Sequence, residues 1–154
     1  MAKELMEIGG FITEGAEIVN HDNTLSGNGT VDSPLGLNET VLFDANGTRA
    51  VSAHLTESIS AFERAKFYMH DDGGHCWGCG ELLSRDLVAS SHPVDCGFTT
   101  PWNVSGIRCI VARSTDNTYQ NWVTDGYQWW GTGGGRITSG YMWIEKVIGI
   151  NRKQ

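Results

Sequence analysis

The stretch A-F-E-R-A-K-F-Y-M-H, residues 61–70, decides the fold class of this chain. Its side chains alternate between two faces: Ala65, Phe67 and Met69 form one, and Arg64, Lys66, Tyr68 and His70 form the other. Because successive side chains of a strand point to opposite faces, this pattern predicts a strand that is buried on one face. The acidic and glycine run at 71–74 ends the strand, since these are turn residues.

Strand signals precede this stretch as well. Thr40–Asp44 and Thr48–Leu55 are predicted to form a hairpin about the Asn46-Gly47 turn, because Asn-Gly favours tight hairpin turns. Thr56 and Ser58 are candidate caps of one irregular helical turn that follows, which is too short to be a stable helix alone.

The C-terminal half shows further strands separated by glycines. The apolar run at 107–112 is typical of a central strand of a sandwich, whereas residues 75–104, with prolines and scattered glycines, are expected to be irregular. Tyr119–Thr124 and Tyr127–Trp130 are predicted to pair around Asp125-Gly126. The glycines at 133–135 are predicted to form a flexible tip.

Tyr141–Ile150 is the last predicted strand, and its apolar face comprises Met142, Ile144, Ile148 and Ile150. A series of short strands, 20 glycines in 154 residues and no credible long helix indicate an all-β protein. We predict an antiparallel β-sandwich, jelly-roll-like, as a head domain over residues 39–154.

A different kind of segment precedes this head. The sequence T-L-S-G-N-G-T-V-D-S-P-L-G-L, residues 24–37, places turn formers between small apolar residues. Such a segment has too little apolar surface to bury itself, so it is most easily ordered by packing against copies of itself. Residues 1–38 are therefore predicted to form a turn-rich stem and a trimerisation segment.

The charge of the chain argues against a nucleic-acid partner. A protein that follows a phosphate backbone needs a basic stripe, and this chain has a net charge of −7. No apolar stretch is long enough for a transmembrane helix, so membrane insertion is not expected. The N-terminus carries Glu4 and Glu7 without a continuous apolar core, unlike a secretory signal, and we expect synthesis in a cytosol.

Four cysteines leave a metal site, a disulfide and free thiols open. Cys76 and Cys79 form a C-x-x-C pair, but Cys96 and Cys109 lie too far apart to be a good second half of a zinc site. The weak metal candidates are His75, Cys76, Cys79 and Cys96, and no cofactor is expected. A redox role is disfavoured because no helix start is visible at the C-x-x-C pair.

Aromatic residues are the strongest functional signal. The chain has six tryptophans, and Y-Q-N-W-V-T-D-G-Y-Q-W-W, residues 119–130, combines aromatic rings with carboxylate and amide groups. An indole face can stack on the C–H face of a sugar while polar groups bind its hydroxyls. The candidate ligand-binding residues are Trp77, Trp102, Trp122, Asp125, Tyr127, Trp129 and Trp130. The competing interpretation of each tryptophan is packing in a core or an interface.

Two segments carry a family resemblance. The order strand, Asn-Gly turn, strand, L-T-E-S-I-S-A-F-E at 55–63, and the terminal Y-M-W-I-E-K-V-I-G-I at 141–150 resemble the C-terminal domain of bacteriophage tail-fibre and baseplate proteins. The segment at 24–37 is similar to linker elements of phage fibre shafts. Residues 75–104 depart from the family pattern, so no receptor site carries over residue by residue.

The resemblance implies a homotrimeric fibre tip in the virion, assembled in the cytoplasm of a bacterial host. It would attach to a host-surface molecule, either a glycan or a protein, and a glycan fits the aromatic residues better. One alternative is a structural baseplate or capsid component with no receptor role. A glycan-degrading tailspike enzyme is the other; no G-x-S-x-G motif is present, and we expect no enzyme activity.

Overall fold

The computed structural model describes residues 25–27, 32, 36–71, 77–87, 93–103, 106–130, 133–137 and 141–153. Its strands are β1 (Leu25–Ser26), β2 (Gly36–Leu37), β3 (Glu39–Asp44), β4 (Ser52–His54), β5 (Phe62–Asp71), β6 (Trp77–Leu83), β7 (Asp95–Asn103), β8 (Gly106–Ser114), β9 (Asn121–Trp130), β10 (Gly133–Ile137) and β11 (Met142–Arg152). Two short 3-10 helices, Ile59–Ala61 and Ser84–Asp86, precede β5 and follow β6.

The strands from β3 to β11 form two antiparallel sheets. One sheet has four strands in the order β3-β11-β5-β6. The other has five strands: β10, β9, β8 and β7 are neighbours in that order, and β4 also pairs with β9. The two sheets pack against each other, which confirms the predicted all-β sandwich.

The core lies between the sheets and is built from their inward-facing side chains. Phe67 of β5 and Trp122 of β9 meet at its centre, with ring centroids 4.5 Å apart. Around them lie the remaining buried apolar residues, which include Leu42, Leu55, Ile59, Phe62, Met69, Ile110, Met142, Ile144 and Val147. The alternation at 61–70 is confirmed, because Ala65, Phe67 and Met69 are all buried.

A buried ion pair also joins the sheets. Arg108 of β8 points inward and donates a hydrogen bond to the carboxylate of Asp71, at the end of β5. Gln128 of β9 accepts a second hydrogen bond from Arg108, at 3.4 Å. Burial of two charges is costly unless they are paired, so this contact fixes how one sheet sits on the other.

The predicted hairpin at 40–55 is wrong. The Asn46-Gly47 turn forms, with φ values of 49° and 75°, and β3 ends before it. The chain then crosses to the other sheet, where β4 pairs with β9. The helical turn after it is confirmed: Ser58 Oγ accepts a hydrogen bond from the backbone N–H of Ser60 at 3.2 Å.

The irregular segment predicted at 75–104 is also wrong, because it contains β6 and β7. The strand signal of β6 is weak because Gly78 and Gly80 occupy two of its positions. A Cβ atom on Gly78 would lie 2.5 Å from the Phe98 ring, and one on Gly80 would lie 2.7 Å from Cys96 Sγ. Both glycines are therefore needed for close packing, and they remove the apolar side chains that would have marked the strand.

Two further corrections concern β9 and β10. Asp125-Gly126 is not a turn, since β9 runs without interruption from Asn121 to Trp130. The glycines at 133–135 belong to β10, which pairs with β9 along its whole length. The predicted central strand at 107–112 is confirmed, because β8 lies between β7 and β9.

The last strand has a register shift that the sequence pattern does not show. Pairing of β11 with β5 slips between Ile144 and Lys146, so that Glu145 is the extra residue of a bulge. Met142, Ile144 and Ile150 are buried as predicted, but Val147 rather than Ile148 is buried in the core.

Of the predicted stem, the structure describes only residues 25–27, 32 and 36–38. Leu25–Ser26 pairs with Gly36–Leu37 as a separate two-stranded sheet. The domain boundary at residue 38 and the trimerisation of the stem stay predictions. In the described part of the chain, no helix is long and apolar enough to cross a membrane.

Candidate functional site

A depression of about 460 Å³ opens on the outer face of the four-stranded sheet, away from the core. We call it the Trp77 pocket. Its lining comes from β5, β6 and β11: Tyr68, Met69, Trp77, Gly78, Cys79, Glu145, Lys146 and Ile148. The volume is within the range of sites that hold small ligands.

The strands place these side chains by alternation and by the bulge. Tyr68 and His70 point outward from β5, and their antiparallel partners on β6 are Cys79 and Trp77. On the other side of β5, the bulge in β11 inserts Glu145 and brings Lys146 opposite Tyr68. A bulge often re-aims side chains beside a functional site, and here it places a carboxylate and an ammonium group in one pocket.

Trp77 is held in place although its side chain is 64% exposed. Its indole stacks on the His70 ring, with centroids 4.2 Å apart and an interplanar angle of 8°. The His70 ring also packs on Trp143, with ring centroids 5.2 Å apart. The Arg49 guanidinium lies 4.7 Å from the centre of the Trp143 ring. One indole face is thus fixed against the protein.

Hydrogen bonds set the orientation of His70. Its Nε2 lies 3.2 Å from Glu145 Oε2, and its Nδ1 lies 3.1 Å from the backbone oxygen of Asp71. Both oxygens are acceptors, so both bonds form together only when the ring is protonated. Glu145 therefore helps to orient the His70 ring as well as lining the pocket.

The charged groups that line the Trp77 pocket are the Glu145 carboxylate and the Lys146 ammonium group. Lys146 Nζ lies 2.9 Å from Asp44 Oδ2. The hydrogen bond from Lys146 lowers the pKa of Asp44, and the same bond raises the pKa of Lys146. Both groups are therefore charged at neutral pH, and Lys146, which has three N–H donors, can donate to a ligand hydroxyl group as well as to Asp44.

The cysteines divide between the surface and the core. Cys79 is an exposed thiol in the Trp77 pocket, and partial burial raises its pKa. Cys96 faces inward, and burial raises the pKa of its thiol to about 12. Both are free, as is Cys109. Among the described residues no group of His, Cys, Asp and Glu is arranged to hold a metal; His75 and Cys76 lie outside them.

The aromatic residues predicted from the 119–130 segment do not form one platform. Trp122 is 1% exposed, and its Nε1 donates to the Tyr119 backbone oxygen at 3.0 Å, so it belongs to the core. Tyr127 and Trp129 lie on the outer face of the five-stranded sheet, 47% and 62% exposed. The backbones of Trp102 and Trp130 lie in β7 and β9, but their side chains are outside the described set.

Asp125 is buried and serves a structural role. Its Oδ1 accepts a hydrogen bond from the Gly126 backbone N–H at 2.8 Å, and its Oδ2 lies 2.9 Å from Arg113 Nη1. Arg113 also contacts both carboxylate oxygens of Asp95 at 2.7 Å, and this hydrogen bonding raises the pKa of Arg113. The three residues form an ion cluster on the outer face of the five-stranded sheet.

Sequence reasoning therefore found Trp77 but missed its neighbours Tyr68, His70, Glu145 and Lys146. The alternation at 61–70 already placed Tyr68 and His70 on the outer face. The missing information was the pairing of β5 with β6 and β11. Comparison with protein families, curated proteins and solved structures finds no match.

Proposed function

We propose that the chain is a glycan-binding attachment module, of the kind carried at the tip of a phage tail fibre, and that the Trp77 pocket holds a sugar. The observation that carries this proposal is the exposed Trp77 indole, fixed by its stack on His70 beside a concave site. A preformed aromatic face loses little entropy when a ligand stacks on it.

The composition of the pocket favours a sugar over other small ligands. A pyranose has an apolar C–H face and a ring of hydroxyl groups, so it needs one flat aromatic surface and a few charged or polar partners. Trp77 and Ile148 supply the apolar surface, and Tyr68, Glu145 and Lys146 supply hydrogen-bonding groups.

The setting of this activity is also a proposal. The family resemblance supports attachment of a virion to a host-surface glycan, with the chain assembled as a homotrimer through residues 1–38. The ribbon of β1 and β2 supports this assembly, because it is a small separate sheet on which Leu37 is exposed. Two short strands are marginal alone and gain stability from a partner surface.

A glycan array followed by calorimetry tests the binding site. The wild-type protein is expected to bind at least one glycan class, and Trp77→Ala is expected to weaken that binding by at least about tenfold, because truncating a central aromatic contact costs about 2 kcal/mol. Tyr141→Ala is the matched control, since Tyr141 is a 52% exposed aromatic that does not line the pocket.

Two results would contradict the proposal. Equal affinities of wild type and Trp77→Ala for every bound glycan would show that the Trp77 pocket is not the binding site. Release of shorter sugars from the bound glycan, followed by chromatography, would replace an attachment module by an enzyme.

A further inference from the structure

We propose that the outer face of the five-stranded sheet is a second sugar-binding surface, which takes an extended, neutral polysaccharide chain. We call it the Trp129 platform and define it by Ile107, Tyr127, Trp129 and Gly134. The inference rests on the proposed function, because it assigns a second site and a ligand class to the same glycan-binding activity.

The indole of Trp129 lies over the neighbouring strand. A Cβ atom on Gly134, its cross-strand partner, would lie 2.7 Å from Trp129 Cε3 and 2.8 Å from Cδ2. Real Cβ atoms do not approach a ring so closely, so glycine at 134 is what lets the indole take this place. The adjacent Gly133 and Gly135 have open space where a Cβ atom would be. The remaining indole surface faces solvent.

Further apolar groups extend the surface. Tyr127 precedes Trp129 by two residues on β9, so it lies on the same face about 7 Å away. Ile107 of β8 is the other cross-strand neighbour of Trp129 and is 53% exposed. The result is a row of exposed apolar side chains along a sheet, which matches several sugar rings of one chain better than a single sugar.

Charge selects the class of polysaccharide. The chain carries a net charge of −7, which repels an acidic polymer. The register places two carboxylates and two arginines on this face: Arg113 is held by Asp95 and Asp125, and Arg136 of β10 is the cross-strand partner of Tyr127. A neutral chain avoids this repulsion and needs only the aromatic face and hydroxyl contacts.

The two sites lie on opposite outer faces of the sandwich, so they can act independently. This arrangement suits attachment to a dense surface polysaccharide.

Affinity electrophoresis in gels containing dextran, galactomannan, hydroxyethyl cellulose or polygalacturonate tests the platform. Wild type is expected to be retarded by at least one neutral polymer and not by polygalacturonate. Trp129→Ala is expected to lose at least about tenfold in affinity, and Trp77→Ala to keep most of the retardation. Gly134→Ala keeps the indole but displaces it, and should also weaken binding, whereas the matched control Gly133→Ala should not.

Thiol labelling separates the two sites. Cys109 is the cross-strand partner of Tyr127, and Cys79 lines the Trp77 pocket. The retarding polymer should slow iodoacetamide modification of Cys109 in the Trp77→Ala protein, with the modified peptide identified by mass spectrometry.

Three results would overturn the inference. Equal retardation of wild type and Trp129→Ala, both folded by circular dichroism, would do so while leaving the Trp77 pocket untouched. Stronger retardation by polygalacturonate than by neutral polymers would reject the ligand class. Sedimentation that shows a wild-type oligomer but a smaller Trp129→Ala species would assign this face to a second copy of the chain.

Discussion

At the scale of single residues, strand parity decides whether an aromatic side chain stabilises or binds. Trp122 and Trp129 are seven positions apart on β9, an odd number, so they occupy opposite faces of the sheet. Trp122 packs on Phe67 in the core, whereas Trp129 lies on the outside. The same residue type therefore has two physical roles within one strand.

Cys79 gives a residue-scale prediction that uses its environment. Burial raises its pKa above the ordinary value of 9.0, so less thiolate is present at neutral pH than for a free cysteine. We expect alkylation of Cys79 in the folded protein to reach half of its maximal rate at a pH above 9.0. Cys96, with a pKa of about 12 and little exposure, should react only after unfolding.

Peptide mapping after iodoacetamide treatment across a pH series measures both rates, with urea-unfolded protein as the control. Rapid modification of Cys96 in the folded protein would show that the core at β7 is open. If Cys79 reached half of its maximal alkylation rate at a lower pH in the folded protein than in the unfolded chain, its pKa would be lowered by folding rather than raised.

At the scale of elements, the sequence was informative wherever one face of a strand is apolar and the other polar. β5 meets this condition, so its bounds and faces could be predicted from alternation. β6 does not, because its glycines serve close contacts with Phe98 and Cys96 rather than turns. The predicted turn at Asp125-Gly126 was wrong for a similar reason. A Cβ atom on Gly126 would lie 2.3 Å from Met142 Sδ, so this glycine allows the two sheets to pack closely and does not form a turn.

The candidate site was predictable to the same extent. Composition pointed to Trp77, and alternation placed Tyr68 and His70 outward. The contribution of Glu145 and Lys146 depends on a bulge, and the extra residue of a bulge leaves no signature in a single period-two pattern. The crossing of β4 to the second sheet was equally hidden, because an Asn-Gly turn does not state which sheet the next strand joins.

For the whole molecule, the two-sheet sandwich and the N-terminal ribbon differ in how they are stabilised. The sandwich has a core between two sheets and the buried pair of Asp71 and Arg108. The described residues before Asn38 contain a separate two-stranded ribbon. If the chain assembles as the proposed homotrimer, sedimentation of the full chain at micromolar concentration will give the mass of three chains. A stable, folded species with the mass of one chain would contradict the homotrimer.

Binding of a sugar by the exposed, preordered indole of Trp77 can be measured from indole N–H signals in a ¹H–¹⁵N NMR titration. Titration with the tightest glycan from the array should shift the Trp77 signal progressively. The Trp122 signal should stay in place, because its Nε1 is bonded to the Tyr119 backbone oxygen inside the core. Saturable glycan binding that leaves the Trp77 signal unmoved would contradict the account.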